Sequence, residues 1–85
     1  MGELSKLPNI GAVVEAQLHA VGINTYEDLA AAGAEGAWLR IQAIDASACI
    51  SRLLGLEGAI QGVKKTLLPP ARKAELKAFY NLHKI

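Results

Sequence analysis

The apolar residues of this chain recur at helical spacing, and no stretch alternates strictly as a half-buried strand would, so the pattern predicts an all-α fold. A first helix is expected over residues 11–21. Ile10, Val14, Leu18 and Val21 fall on one face of it at i, i+4, i+8 and i+11, and Glu15 and His19 pair at i, i+4 on the opposite face. Gly22 ends this helix. Thr25 followed by Asp28 reads as a capping box, which opens a short helix at Tyr26 that stops at Gly33. A third helix over residues 34–44 lines up Ala34, Ala37, Trp38, Ile41 and Ile44, and Asp45 or Ser47 is placed to cap the next one. A lone aromatic at helical spacing is far more often packing than a cofactor platform, so Trp38 is expected to anchor the core.

The fourth helix, residues 48–62, carries the densest pattern. Cys49, Leu53, Leu56, Ile60 and Val63 form a tight apolar arc that Ile50 and Leu54 widen, which puts Cys49 in the core as an inert thiol. Ser51, Gly55, Gly58, Ala59 and Gly62 cover the other side. Each glycine inside a helix costs about 1 kcal/mol relative to alanine, so Gly55, Gly58 and Gly62 imply another backbone passing close along that stripe. A last helix begins at Pro69 and Pro70, where a fixed φ and a missing amide are tolerated, and runs toward His83 with Leu76, Phe79 and Tyr80 inward. Lys73, Lys77 and Lys84 line an outer edge of it. No linker, heptad or repeat interrupts the chain, so residues 1–85 read as a single small bundle of about five helices.

With 85 residues, of which 52% are hydrophobic, the chain has enough material for one core and too little for two. The net charge of +1 conceals an asymmetry. Residues 1–63 hold Lys6, Arg40 and Arg52 against seven acidic residues, net −4, whereas residues 64–85 hold six basic residues against Glu75 alone, net +5. Any electrostatic partner must therefore be met by local patches, the basic tail above all. The single cysteine excludes an intrachain disulfide, and no Cys/His cluster has zinc spacing, so no metal is expected. The opening residues lack the basic and apolar regions of a signal peptide, and no apolar run approaches the ~20 residues of a membrane span. A cytoplasmic chain that does not engage membranes is the expectation.

Glu57 falls inside the apolar arc, where an ionised carboxylate needs partners. A catalytic carboxylate works beside a second acid, a histidine, a nucleophile or a metal, and none is spaced near it. Glu57 is therefore expected to be buried and to accept backbone amides from a turn or a helix start. His19 and His83 stand isolated, and Ser5, Ser47 and Ser51 lie in no nucleophile-elbow pattern. No glycine-rich stretch matches a phosphate-binding loop of the Walker or Rossmann kind. These residues point to no catalytic site, no cofactor and no enzyme.

The stretch LPNIG, followed by a helix and then by VGI, Thr25 and Asp28-Leu29, resembles the helix-hairpin-helix motif within a SAM-like N-terminal half. In that motif backbone amides at the hairpin and the next helix start hold a nucleic-acid phosphate without reading sequence, which here would involve Asn9, Ile10 and Gly11. The first glycine of the motif is replaced by Asn9, which visits left-handed φ more readily than most residues. The turn after Gly11 reads Ala12, Val13, Val14, Glu15 and offers no local cation for the phosphate. The stretch is thus expected to act as a packing turn.

Five motifs in order, LPNIG, VGI with Thr25 and Asp28-Leu29, GA with Ala37-Trp38-Leu39-Arg40, Cys49 with GLEGAI, and LP with Lys73 and ELK, are similar to the C-terminal domain family of TfoX, a bacterial regulator of natural competence. The resemblance spans Leu7 to Lys77. It implies a helical regulatory or binding module, and the start of the chain directly before the first motif looks like the standalone members of that family. Two positions depart from its pattern: an apolar or aromatic residue tends to lie near Lys65, and a proline tends to stand where Ala12 does. Two functions follow as expectations. One is a non-enzymatic interaction module that binds a protein or a second copy of itself. The other is sequence-independent DNA binding through the hairpin or through Lys73, Lys77 and Lys84 on the basic C-terminal helix.

Overall fold

A computed structural model describes residues 3–84 and is all-helical among them. A 3-10 turn, Glu3–Lys6, leads into α1 (Ala12–Ala20), α2 (Tyr26–Ile44) and α3 (Ile50–Gln61); a second 3-10 turn, Lys65–Leu67, precedes α4 (Pro70–His83). There are four α-helices where about five were expected, and the reason is local. Gly33 does break the helical backbone, at φ 75° and ψ 165°, but the chain resumes its helix at once, so the two expected helices form one kinked α2. A single glycine in this region, closed to residues with a Cβ, redirects a helix without any loop.

The capping residues behave unequally. Thr25 caps α2 as its pattern predicts, its hydroxyl accepting the Asp28 amide at 3.0 Å, while the Asp28 carboxylate reaches past the cap to the Asn24 amide. Neither Asp45 nor Ser47 caps α3. Asp45 instead closes its own turn by accepting from the Ser47 amide and hydroxyl, and α3 starts later, at Ile50, with Cys49 at the cap position. Cys49 is therefore exposed, because a residue outside the helix does not follow the helical phase that placed it in the core. Ile44, the last residue of α2, is likewise 55% exposed.

α3 is the central element. Leu53, Leu56 and Ala59 are buried on it, facing Ala34, Ala37, Trp38 and Ile41 of α2. Trp38 is fully buried, donates its indole N–H to the Cys49 carbonyl at 3.2 Å, and meets Phe79 and Tyr80 of α4 edge-on. Burying side chains of this size contributes roughly 1.5–3 kcal/mol each, so this three-helix junction carries a substantial share of the hydrophobic stabilisation. Leu76 is fully buried on α4, and Phe79 and Tyr80 are half-buried against the core. On α1, Leu18 is buried as expected, but so is Glu15, at 4% exposure, because the N-terminal 3-10 turn folds over that side and its Ser5 amide donates to Glu15 Oε2. Glu15 and His19 do not share a solvent face; His19 alone is exposed.

Candidate functional site

The LPNIG turn is fastened to the far end of α3. Asn9 adopts a left-handed φ of 68°, Ile10 is buried in the core, and Gly11 stands at the cap of α1 with extended backbone and no side-chain cap bond. The Asn9 carboxamide donates to the carbonyls of Gly55 at 3.3 Å and Val63 at 3.1 Å and accepts the Lys65 amide at 3.1 Å. Its polar atoms are committed to the protein. Only a glycine surface allows this approach: a Cβ on Gly58 would lie 2.5 Å from Asn9 Nδ2 and 2.7 Å from the Val63 carbonyl, and one on Gly55 would lie 3.3 Å from Asn9 Cβ.

The close backbone implied by the glycine stripe is thus the hairpin turn and the segment after α3, and not another helix. Gly62 does not belong to that stripe. It ends α3 in the left-handed conformation, with Val63 donating back to the Gly58 carbonyl, and nothing crowds it.

This clamp brings together cations that are distant in sequence. Lys6, Lys64 and Lys65 line a shallow surface depression beside Asn9 and Pro8. On the other side of Lys65, a cleft of about 220 Å³ lies between the turn and the first turn of α3, lined among others by Asn9, Cys49, Ser51 and Arg52. The Lys65 ammonium donates into the Ser51 hydroxyl there. Neither Lys64 nor Lys65 emerged as a candidate from sequence reading. The glycines of α3 announced a close neighbour, but only the fold says that Lys65 arrives with it.

Glu57 is buried at 7%, and its partners are side chains, where backbone amides were expected. Arg72 of α4 donates to Glu57 Oε1 at 2.9 Å and grips Glu35 of α2 with both terminal nitrogens at 2.8 and 3.0 Å; Gln61 also donates to Glu57. The guanidinium holds the Glu35 carboxyl below its usual range, and the two carboxylates raise Arg72 further above its own. One cation thereby ties α2, α3 and α4 together. Asp45 is a second node, accepting from Ser47, Gln17 and Arg52 and held well below the carboxylate range, chiefly by the Ser47 hydroxyl.

The lysine edge of α4 meets the segment after α3 at Lys73. Lys73 donates to the Thr66 carbonyl at 3.0 Å, and Lys73 and Lys77 flank Leu54 and Pro70 around a second small depression. Lys84 follows the end of α4, 6.0 Å from the Tyr80 ring centre. His83 is exposed with its ring against Phe79. Among the described residues no group of three His, Cys, Asp or Glu could hold a metal ion, and no helix is long and apolar enough to cross a membrane.

Residues 1–80 match the model of the family described as the TfoX C-terminal domain. The chain belongs to this family. Protein Sxy of Escherichia coli (strain K12) is 40% identical to this TfoX C-terminal chain over 73 residues, which cover 86% of this chain and 35% of Sxy. The chain thus spans about a third of the length of that curated relative. Among solved structures, the triclinic form of an uncharacterized protein from Listeria monocytogenes superposes with a TM-score of 0.89 at 46% identity, covering 93% of this TfoX C-terminal chain and 91% of the other. The tetragonal form of a Listeria monocytogenes protein of unknown function gives the same TM-score and identity over 92% and 96%.

Proposed function

We propose that this TfoX C-terminal domain is a non-enzymatic regulatory module, of the competence-related kind its family implies, that works through protein contacts and includes a second copy of itself among its partners. The observation that carries this reading is the apolar end formed by α2 and α4. Gln42 donates to the His83 carbonyl at 2.8 Å, which ties the end of α4 to the last turn of α2, and these last turns leave Ile44 55% and Leu82 81% exposed. Large side chains left uncovered on neighbouring turns favour association. The acidic 1–63 segment and the basic 64–85 segment complement each other between copies. Sedimentation equilibrium over a wide concentration range tests this. The average mass should rise with concentration for the native chain and stay monomeric for Ile44→Glu with Leu82→Glu.

A second reading, sequence-independent DNA binding, is favoured by Lys6, Lys64 and Lys65, which line the depression beside the hairpin and supply the cations its own sequence lacks. A gel shift at low salt that weakens steeply as salt is added would support it. A chain that stays monomeric at every concentration and gives such a shift would replace the first reading by the second.

A further inference from the structure

The cleft beside Lys65 has the chemistry of an anion site. The Lys65 side chain is half-buried, and its ammonium donates to the Ser51 hydroxyl and has no carboxylate within ion-pair distance among the described residues. Withdrawing a cation partly from water without a counter-ion is unfavourable, and an anion drawn into the cleft relieves that cost. Arg52 lines the same cleft. One of its terminal nitrogens is bound to Asp45 at 3.0 Å, and a guanidinium carries five N–H donors in all. One wall is the first turn of α3, a helix of 12 residues that no side chain caps; the Arg52 and Leu53 amides donate to the Cys49 carbonyl, which leaves the Ile50 and Ser51 amides without a backbone acceptor among the described residues.

Ammonium, guanidinium, hydroxyl and helix start thus converge on one concave surface of about 220 Å³, below the range of roughly 300–1,000 Å³ typical for drug-sized ligands. We infer that this cleft, built by Lys65, Ser51, Arg52 and the start of α3, binds a phosphoryl group. A small recess suits such a compact anion. The inference goes beyond the protein-contact reading and does not depend on it, since the apolar ends of α2 and α4 take no part. The phosphoryl group is supplied either by a free phosphate or phosphorylated small molecule, or by the backbone of a nucleic acid.

Cys49 provides the readout, because its thiol is exposed and lines the cleft. The native chain is alkylated at Cys49 with iodoacetamide in the presence of inorganic phosphate, of a short single-stranded oligonucleotide, or of chloride at matched ionic strength. Phosphate at about ten times its Kd should slow alkylation by about tenfold, because only the unoccupied fraction reacts freely. Lys65→Met and Ser51→Ala should lose that protection while keeping the native melting temperature in phosphate-free buffer. Protection by free phosphate identifies a small ligand, and protection by the oligonucleotide at a far lower phosphate-group concentration identifies a nucleic-acid backbone; either supports the site. Equal rates in phosphate, oligonucleotide and chloride would overturn it, as would full protection retained in a folded Lys65→Met. The sedimentation result is unaffected by either outcome.

Discussion

Asn9 and Lys65 are separated by 56 positions, yet Asn9 Oδ1 accepts the Lys65 amide at 3.1 Å. This bond and the two that Asn9 Nδ2 donates to Gly55 and Val63 turn a surface hairpin into a clamp across the C-terminal end of α3. The residue type answers two demands at once. Its carboxamide has donors and an acceptor, and asparagine tolerates the left-handed φ of 68° found there.

Replacing Asn9 separates those demands. Asn9→Ala loses the three hydrogen bonds and must also hold a left-handed backbone, a loss of ~2–4 kcal/mol. Asn9→Gly loses the same bonds but accepts the backbone, and should be more stable than the alanine variant by about 1 kcal/mol. Urea unfolding followed by circular dichroism measures both. If the two variants unfold at the same midpoint, the backbone conformation contributes nothing.

The glycines of the helices should divide by what stands over them. Gly58→Ala gains about 1 kcal/mol of helix propensity but drives a methyl against the Val63 carbonyl, and should destabilise by ~1–3 kcal/mol net. Gly58→Leu should be worse. At Gly36 a new Cβ meets only Ala32 Cβ at 3.9 Å, so Gly36→Ala should be neutral or stabilising by up to about 1 kcal/mol. Equal thermal melts for Gly58→Ala and Gly36→Ala would show that the clamp yields without cost.

Arg72 should matter more than any other exposed-side charge. Arg72→Met leaves Glu35 and Glu57 facing each other without their shared cation, a loss of ~1–3 kcal/mol after allowing for partial exposure of the cluster. Glu57→Gln keeps the shape and one polar contact, so it should lower stability less and leave the fold intact. Chemical denaturation of the two variants checks the order. A Glu57→Gln loss as large as that of Arg72→Met would shift the weight of the cluster from Arg72 to Glu57.

Much of this architecture was legible because helical periodicity is a local property. The core faces of α2 and α3, the Thr25 cap, the break at Gly33 and the left-handed turn at Asn9 each follow from residues within a few positions of one another. The misplacements share one cause, which is an element from elsewhere in the chain. Glu15 reads as solvent-facing until the 3-10 turn covers it, and two of the three lysines around the hairpin, Lys64 and Lys65, come from a segment beyond α3. Cys49 is the exception. There the error was a helix start displaced by two residues, enough to move a thiol from the core to the surface.

Acid should unfold this domain through two carboxylates. Arg72 holds Glu35 below its ordinary value of 4.5, so the ion pair contributes its full stabilisation above that pH and loses it as pH falls through the lowered value. Asp45, ordinarily near 3.8, is lowered by Ser47, Gln17 and Arg52, and its contribution disappears at still lower pH by the same sign. The melting temperature of the native chain should therefore decline below about pH 4.5. The gap between the native chain and Arg72→Met should be widest near neutral pH and should narrow as Glu35 is protonated, because the arginine then loses its two-point partner and keeps only Glu57 and Glu75. Asp45→Asn should instead narrow its gap from the native chain only in the more acidic range. Melting curves recorded by circular dichroism from neutral to strongly acid pH separate the two. A gap for Arg72→Met that stays constant down to the acid limit would mean that the guanidinium stabilises the fold by packing across α2, α3 and α4, with no part for its charge.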